Sequence, residues 1–567
     1  MQTLERHPRL FLVILSILFL LPGISDLPLL DRDEPRFARA SIEMMDRNEW
    51  LVPYFNDAYR FDKPPLTYWW MRLHYSLFGT HEFAARLHSF FSALITALLL
   101  FQIARSFNYS KKRALLSAAI WLSTLQVFIH SRIAVADMLL IACLTLSFAA
   151  LKELLYSERV YKKFSVWFYL LYLSMGLGFL AKGPIALIIP LLSSLFCLYF
   201  SRKLPNFQTR SLQLLKESPL GLTLFFALIG SWGIPALLAT NGAYFDVGIN
   251  QHVIKRGFTA FNDRLTIPLV YYLIVILIFF SPWVSALVPS LKRVYKELKK
   301  RPEHTLTLAW IGVSFGLFSF YQTQLPHYIL PAYPMLALIV GQYDFSLLKK
   351  KTLLSFWLHR VIFAILIVAA VCLTLGLIQS NFELAAIYST AFLACFALAF
   401  FLSAELIKGN KLGHAFVCIF LASLSFFIFS KNLKEIHLSK RISMSIHQSV
   451  NFEPNYVAHK FIEPSLVWYL DAFCDFSDAR ISELHQNPTE DCTIILSRTW
   501  KIDDALIRQW LSSKKVAASF NQRDQIVKNF PSSSIEWVSG YNPGNGTWSE
   551  VAILYPIVEK RESSKLH

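Results

Sequence analysis

Apolar residues fall in runs of roughly 17–25 along most of this chain, the length a helix needs to cross a hydrocarbon core. The runs predict about thirteen membrane helices, over 8–25, 84–104, 114–130, 135–151, 165–181, 184–200, 219–240, 267–290, 305–322, 326–343, 355–378, 383–404 and 412–430. The pair 165–181 and 184–200 is separated only by "AKGP", whose Gly-Pro step is a break signal. The first run, "LFLVILSILFLLPGI" after "RHPR", has no small-residue cleavage site behind it, so it predicts a retained signal-anchor helix. Two polar stretches stand outside this pattern. One is the loop 26–82. The other is the tail 431–567, where "VAHKFIEPSLVWYLDAF", "DCTIILS" and "EVAILYPI" are short helix or strand signals set apart by Pro, Gly and Ser, predicting a small α/β domain.

The polar loops sort by charge. "RSFNYSKKR", "KELLYSERVYKK", "SRKLPNFQTR", "LKRVYKELKKR" and "LLKKKT" are rich in Lys and Arg, whereas "HSRIAVAD", "YQTQLPH" and "QSNFE" are nearly bare of them. Basic short loops stay cytoplasmic, where anionic lipid also attracts them. The N-terminus is then cytoplasmic, and the loops 26–82 and 241–266 and the C-terminal tail are external.

Composition agrees. The 567 residues are 54% hydrophobic, 15% aromatic and only 16% charged, against about 25% charged in soluble domains. The net charge of +17 reports this topology, not a nucleic-acid partner. Seven Cys without C-x-x-C spacing argue against a metal–thiolate site. Cys474 and Cys492 both fall in the external tail, where a disulfide is permitted and two unpaired thiols are the equal alternative.

Charged residues beside or within membrane segments are costly unless paired or functional, and the external side collects them. In "LDRDEPRFARA", Asp33 and Glu34 point about 100° apart on a helix, so one suits chemistry and the other structure, through Arg36 or Arg39. Pro35 fits a first helical turn, and Asp33 near that helix N-terminus is favoured in its ionised form. A solvated loop with capping acids is the plainer reading. In "YRFDKPPLTYWW", Pro64 and Pro65 stiffen the chain and hold Lys63 where an ammonium suits a phosphate, or serves as part of an interfacial anchor belt. Lys182 in "FLAKGPIALIIP" has no carboxylate nearby in sequence and can snorkel; Arg132 and Asp137 in "SRIAVADMLL" can pair with each other. "NQHVIKRGFTAFND" adds His252, Lys255 and Arg256, and "LPHYILPAYP" adds His327 and Tyr328. Their shared sidedness predicts an external cavity for a substrate with a phosphate and a lipid tail. There Lys63, Lys182 and Arg256 would balance charge on a leaving phosphate, and Asp33 would orient or deprotonate an acceptor. A transporter would instead predict inverted repeats and midplane charges.

The stretch "DEPRFARASIEMMDRNEWLVPYFNDAYRFDKPPLTYWW" resembles the first external loop of bacterial GT-C glycosyltransferases of the aminoarabinose (lipid A) transferase and protein mannosyltransferase group. Members read D-E-x-R-[YF]-A, then W-x-x-P, then [ED]-K-P-P-x-x-Y-W, and each element occurs here in order. "ADMLL", "AKGPIALIIP" and "LPHYILPAYP" resemble later membrane motifs of the group. The resemblance implies a polytopic α-helical GT-C fold in the bacterial inner membrane with its active site facing the periplasm. It implies transfer, with inversion, of a sugar from undecaprenyl phosphate to lipid A or a related glycolipid, the sugar being 4-amino-4-deoxy-L-arabinose or another amino sugar. Transfer to protein Ser/Thr, or of galacturonic acid to core sugars, is the alternative within the fold. Carried over, Asp33 and Asp137 are the catalytic carboxylates, Lys63, Lys182, Arg256 and Tyr328 bind the donor phosphate, and Glu34 and Arg36 are structural neighbours. Asp62 stands where aminoarabinose transferases usually carry Glu. In that subgroup the acid and a His help hold zinc, so Asp62 and His252 are candidate metal ligands, although no cofactor is required.

Overall fold

The computed structural model describes residues 6–30, 32–157, 160, 162–248, 269–281, 283–342, 436–450, 454–459, 461, 463–477, 493–502, 534–542 and 547–555, with isolated positions between 423 and 434. The expected helices 355–378 and 383–404 lie outside these residues, and 412–430 is described only at isolated positions.

The apolar runs form helices α1 (Pro8–Leu20), α4 (Glu82–Ser106), α7 (Asp137–Tyr156), α8 (Val166–Lys182) and α9 (Ile185–Phe200) close to where their patterns place them, with α2 (Asp33–Asp46) and α3 (Leu66–Phe78) in the first polar loop. Among the described residues, three helices are long and apolar enough to cross a membrane by length and composition, α4, α7 and α10 (Pro205–Ala239), and shorter apolar helices pack among them. The chain is a multi-pass membrane protein. The "AKGP" break is real: Gly183 takes φ +89° between α8 and α9, a value that favours glycine.

Four expected spans differ in kind, one of them 326–343, whose first part is a 3₁₀ turn and only its second part an α-helix. The run 219–240 is the later part of α10, which starts at Pro205 and so absorbs much of the basic loop "SRKLPNFQTR". Proline is well tolerated at a first helical position. The run 114–130 is two helices, α5 (Lys111–Ser123) and α6 (Leu125–His130), broken at Thr124, whose ψ is 134°. The run 267–290 is likewise broken, into α11 (Val270–Phe279) and α12 (Val284–Glu297). The two breaks satisfy each other. The Leu125 amide donates to the Ser281 carbonyl (3.0 Å) and the Trp283 indole to Ser123 Oγ (2.9 Å). Backbone groups freed inside a membrane must find such partners. After α13 (His304–Ser319) the chain enters a 3₁₀ turn, Pro326–Ala332, and then α14 (Tyr333–Gln342).

α5 and α14 cross so closely that a Cβ on Gly341 would sit 2.7 Å from the backbone N and Cα of Ser117. Backbone cannot move aside as a flexible side chain does. Gly341→Ala is therefore expected to destabilise by about 1–3 kcal/mol, the usual cost of overpacking, read as a lower midpoint in thermal unfolding of the detergent-solubilised protein.

The C-terminal residues form a mixed sheet. Strands β3 (Asn455–His459), β4 (Cys474–Asp475), β5 (Thr493–Ile502), β6 (Ser534–Asn542) and β7 (Thr547–Tyr555) lie in the order β4-β3-β5-β7-β6, with β3 parallel to both neighbours and the rest antiparallel. Helix α15 (Leu438–Ser449) covers one face, burying Leu438, Ile442 and Ile446 against Tyr456, Ile494, Leu496 and Ile553. Helix α16 (Pro464–Leu470) sets Trp468 into the cluster formed by Phe37, Met44, Tyr68 and Met71 of α2 and α3. The first polar loop is thus held between the membrane helices and the C-terminal sheet. Cys474 is a buried free thiol, and Cys492 lies outside the described residues.

Candidate active site

Asp33 and Glu34 open α2 and diverge as helical geometry requires. Glu34 turns inward and is 1% exposed. Arg86 of α4 donates Nε to its Oε1 (2.9 Å) and Nη2 to its Oε2 (3.0 Å), a two-pronged pair. The Ala134 and Leu30 amides donate to the same carboxylate at 2.6 and 2.8 Å, and Arg86 also donates to the Ile24 and Pro28 carbonyls. One buried acid therefore joins α2, α4, the end of the first membrane segment and the loop before α7. The expected partners are corrected. Arg39 bonds Glu43 (3.3 Å) and Asp471 instead, and Arg36 lies with Arg60. A guanidinium 52 residues away won because both groups had to leave water together.

Asp33 remains exposed at the positive end of α2. Its charge acts on both Arg36 and Arg60. Burial, together with neighbouring Arg60, lowers the pKa of Arg36. Burial also pulls at Arg60, but Tyr68, Asp62 and Asp33 outweigh it and leave Arg60 raised. Two guanidinium groups and two carboxylates, those of Asp33 and Asp62, therefore share one small volume.

A tight turn delivers the second motif. Strands β1 (Tyr54–Phe55) and β2 (Ala58–Tyr59) pair antiparallel across Asn56 and Asp57, at φ +53° and +65°. A two-residue hairpin turn of type I′ needs positive φ at both positions, which Asn and Asp tolerate. Glu43 of α2 fixes the turn by accepting from both amides, at 2.8 and 3.2 Å. The returning strand runs into Arg60, which donates Nε to the Tyr68 hydroxyl (2.9 Å) and pairs with Asp62 (3.2 Å). Next comes Lys63, whose Nζ donates to the Asp62 carbonyl (3.1 Å) and whose own carbonyl accepts from the Tyr244 hydroxyl (2.6 Å). Pro64 and Pro65 then lead into α3.

A third group gathers at helix ends. Asp137 is the first residue of α7 and Lys182 the last of α8, each at the end whose dipole suits its charge. Lys182 Nζ donates to Asp137 Oδ1, and His327 Nε2 is 3.9 Å from the same oxygen. His130 and His327 lie ring to ring at 5.5 Å, and Lys182 Nζ is 5.5 Å from the centre of the Tyr328 ring. Lys63 is near enough for its charge to act on His327, which links this group to the hairpin. Neither plain expectation survives here: Lys182 does not merely snorkel, and Arg132 does not pair with Asp137. Arg132 is buried, stacks 3.7 Å over Phe128, and donates to the Phe128 carbonyl (2.8 Å) and Ser423 Oγ (3.1 Å).

Of the expected site residues, Asp33, Arg36, Asp62, Lys63, Asp137, Lys182 and Tyr328 lie in these groups. His252, Lys255 and Arg256 lie outside the described residues. Asp62, the described member of the expected metal pair, is engaged by Arg60, and no three His, Cys, Asp or Glu side chains among the described residues cluster as a metal site would require. Arg60, Arg86, Tyr244 and His130 were not anticipated. Arg60 had a local signal, standing two residues before Asp62 in the same stiffened stretch; Arg86 and Tyr244 had none.

Known proteins resemble this chain in sequence and in fold. Residues 62–232 match the dolichyl-phosphate-mannose-protein mannosyltransferase family. An undecaprenyl phosphate-alpha-4-amino-4-deoxy-L-arabinose arabinosyl transferase of Pectobacterium carotovorum is 30% identical over 374 residues, and one of Aeromonas salmonicida 30% over 335. The first match covers 65% of this chain and 65% of the relative, the second 59% of each. The crystal structure of ArnT from Cupriavidus metallidurans bound to undecaprenyl phosphate superimposes with a TM-score of 0.68 at 17% identity, covering 96% of this chain and 97% of that one. The apo structure of the same protein gives 0.69. Spread over nearly the whole chain, that likeness establishes that this protein has the GT-C membrane fold of ArnT.

Proposed function

We propose that the protein is an inverting glycosyltransferase that moves 4-amino-4-deoxy-L-arabinose, or a closely related amino sugar, from undecaprenyl phosphate to lipid A at the periplasmic face of the inner membrane. The observation that carries this reading is the division of labour at the start of α2. Glu34 is locked to Arg86 as a buried strut, while Asp33 is presented to solvent beside Arg36 and Arg60, with Lys63 following on the same hairpin. The names of the sequence relatives support the choice of sugar and carrier.

In the proposed reaction an acceptor oxygen bonds to the anomeric carbon from the face opposite the carrier. The bond from that carbon to the carrier phosphate oxygen breaks, and its electron pair leaves with the phosphate, whose negative charge rises from one to two. Lys63, held by the rigid Pro64–Pro65 step, supplies fixed positive charge where this develops, and the Lys182 ammonium, oriented by Asp137, adds a second cation. A lipid A phosphate is already ionised, so Asp33 aligns it; a hydroxyl acceptor would need Asp33 as base.

The test is direct. Purified protein incubated with undecaprenyl-phosphate-linked aminoarabinose and lipid A should give lipid A carrying one added pentosamine on phosphate by mass spectrometry. Unchanged lipid A alongside newly glycosylated Ser/Thr peptide would replace this reading with the protein-acceptor one that the mannosyltransferase match favours. Lys63→Met should lower kcat/KM for the carrier-linked donor about 10–100-fold, since a hydrogen bond to a charged group is worth roughly 1.5–3 kcal/mol. Steady-state kinetics at varied donor would show it, and an unchanged kcat/KM would remove Lys63 from the site.

A further inference from the structure

At the end of α4 away from Arg86 lies a second polar cleft that the reaction does not use. Arg86 and Arg105 lie on one unbroken helix, nineteen positions apart, or roughly 28 Å at 1.5 Å per residue. That is about the thickness of a hydrocarbon core, so the cleft opens at the opposite face of the membrane. Its volume is about 550 Å³, and Arg6, Arg9, Arg105 and Lys111 line it with His7 and Gln102. The cations come from three segments: the residues leading into and opening α1, the last turn of α4 and the first residue of α5. No carboxylate is among the described residues that line it. With its amide turned to accept, Gln102 holds Arg9 through Nε (3.1 Å) and Nη2 (2.6 Å), and Arg105 is held by the Tyr109 carbonyl. Four like charges gathered with no carboxylate among the described lining residues repel one another, so the arrangement favours an anion that neutralises several at once.

The cleft continues into an apolar surface. Leu10 lines it and is 57% exposed, and Ile14, Ile17 and Leu18 follow on α1, all exposed. Positions i, i+4, i+7 and i+8 share one helix face, so a greasy stripe runs from the cationic cleft toward the bilayer centre. A soluble anion would use the charges and have no need of the stripe. We propose that this cleft binds the phosphodiester headgroup of an anionic phospholipid of the cytoplasmic leaflet, whose acyl chains lie along Leu10, Ile14, Ile17 and Leu18. Basic pockets between membrane helices on that side suit such headgroups.

Native mass spectrometry of the full-length protein tests this, using dioleoyl-phosphatidylglycerol, tetraoleoyl-cardiolipin, dioleoyl-phosphatidylcholine and inorganic phosphate as separate probes. Wild type should retain phosphatidylglycerol or cardiolipin at least tenfold better than phosphatidylcholine. R9Q/R105Q should lose that preference, whereas K299Q/K300Q, which removes two charges elsewhere, should keep it. If R9Q/R105Q is not monodisperse, R6Q/K111Q removes two other lining charges and is read in the same way. Retention by the cleft variant equal to wild type, or an equal loss in K299Q/K300Q, would overturn the proposal. So would inorganic phosphate displacing the lipid at equimolar concentration, which would make the cleft a free-anion site.

Discussion

Asp33→Asn is expected to lower kcat by about 10²–10⁴-fold, the range spanned by a positioned acid or base, while leaving the protein as stable as wild type. The geometry separates the two effects. Asp33 is exposed, and exposed substitutions away from special contacts usually change stability by less than about 0.5 kcal/mol. Asn keeps the shape and an oxygen but loses the charge that acts on Arg36 and Arg60. With an ionised phosphate as acceptor the loss should fall near the lower end, since only alignment is forfeited. With a hydroxyl it should fall near the upper end, since the base is gone. The measurement is single-turnover transfer of radiolabelled sugar, with thermal unfolding run alongside. A variant that keeps even half the wild-type rate would remove Asp33 from the chemistry.

Glu34→Ala should do the reverse and prevent recovery of folded protein. Removing one partner of a buried pair costs about 3–5 kcal/mol because the other charge is stranded. Here the stranded group is Arg86, fully buried among backbone carbonyls, and the Ala134 and Leu30 amides lose their acceptor as well. The double replacement Glu34→Leu with Arg86→Met should recover much of that loss, since no charge then remains in the interior. Size-exclusion profiles and unfolding midpoints for Glu34→Leu, Arg86→Met and the double complete the cycle. A single variant that melts like wild type would show that this pair does not hold the loop in place.

Much of this could be read along the chain, and the exceptions share a cause. Helix-length apolar runs and the Gly-Pro step at 183–184 are local signals, and they placed α4, α7, α8 and α9. The motifs around Asp33 and Lys63 are also contiguous, so the acids, the stiff turn and the ammonium were visible together. What could not be read was pairing across distance. Nothing near Glu34 points to Arg86, nothing near Lys182 to Asp137, and nothing in "YFNDAY" to Glu43. The breaks at Thr124 and Ser281 belong to the same class. Each looks like continuous helix in its own window, and only the partner that accepts or donates the freed hydrogen bond makes the interruption tolerable.

The clamp on the hairpin carries a consequence for how the protein is made. Asn56 exchanges two hydrogen bonds with the backbone of Cys474, 418 residues later. Tyr469 accepts from the Leu29 amide and Lys440 pairs with Glu82. A ribosome releases Asp33 and Lys63, with Glu43 and Arg86, hundreds of residues before Lys440, Tyr469 and Cys474, which complete the clamp. Until those residues are made, the reactive loop is therefore anchored to the membrane helices alone and lacks its contacts to the sheet side. A product truncated before residue 440 could reach the membrane with the loop pinned by Arg86, Glu43 and Tyr244 but without its hold from the sheet side, so full alignment waits for residues 440–474.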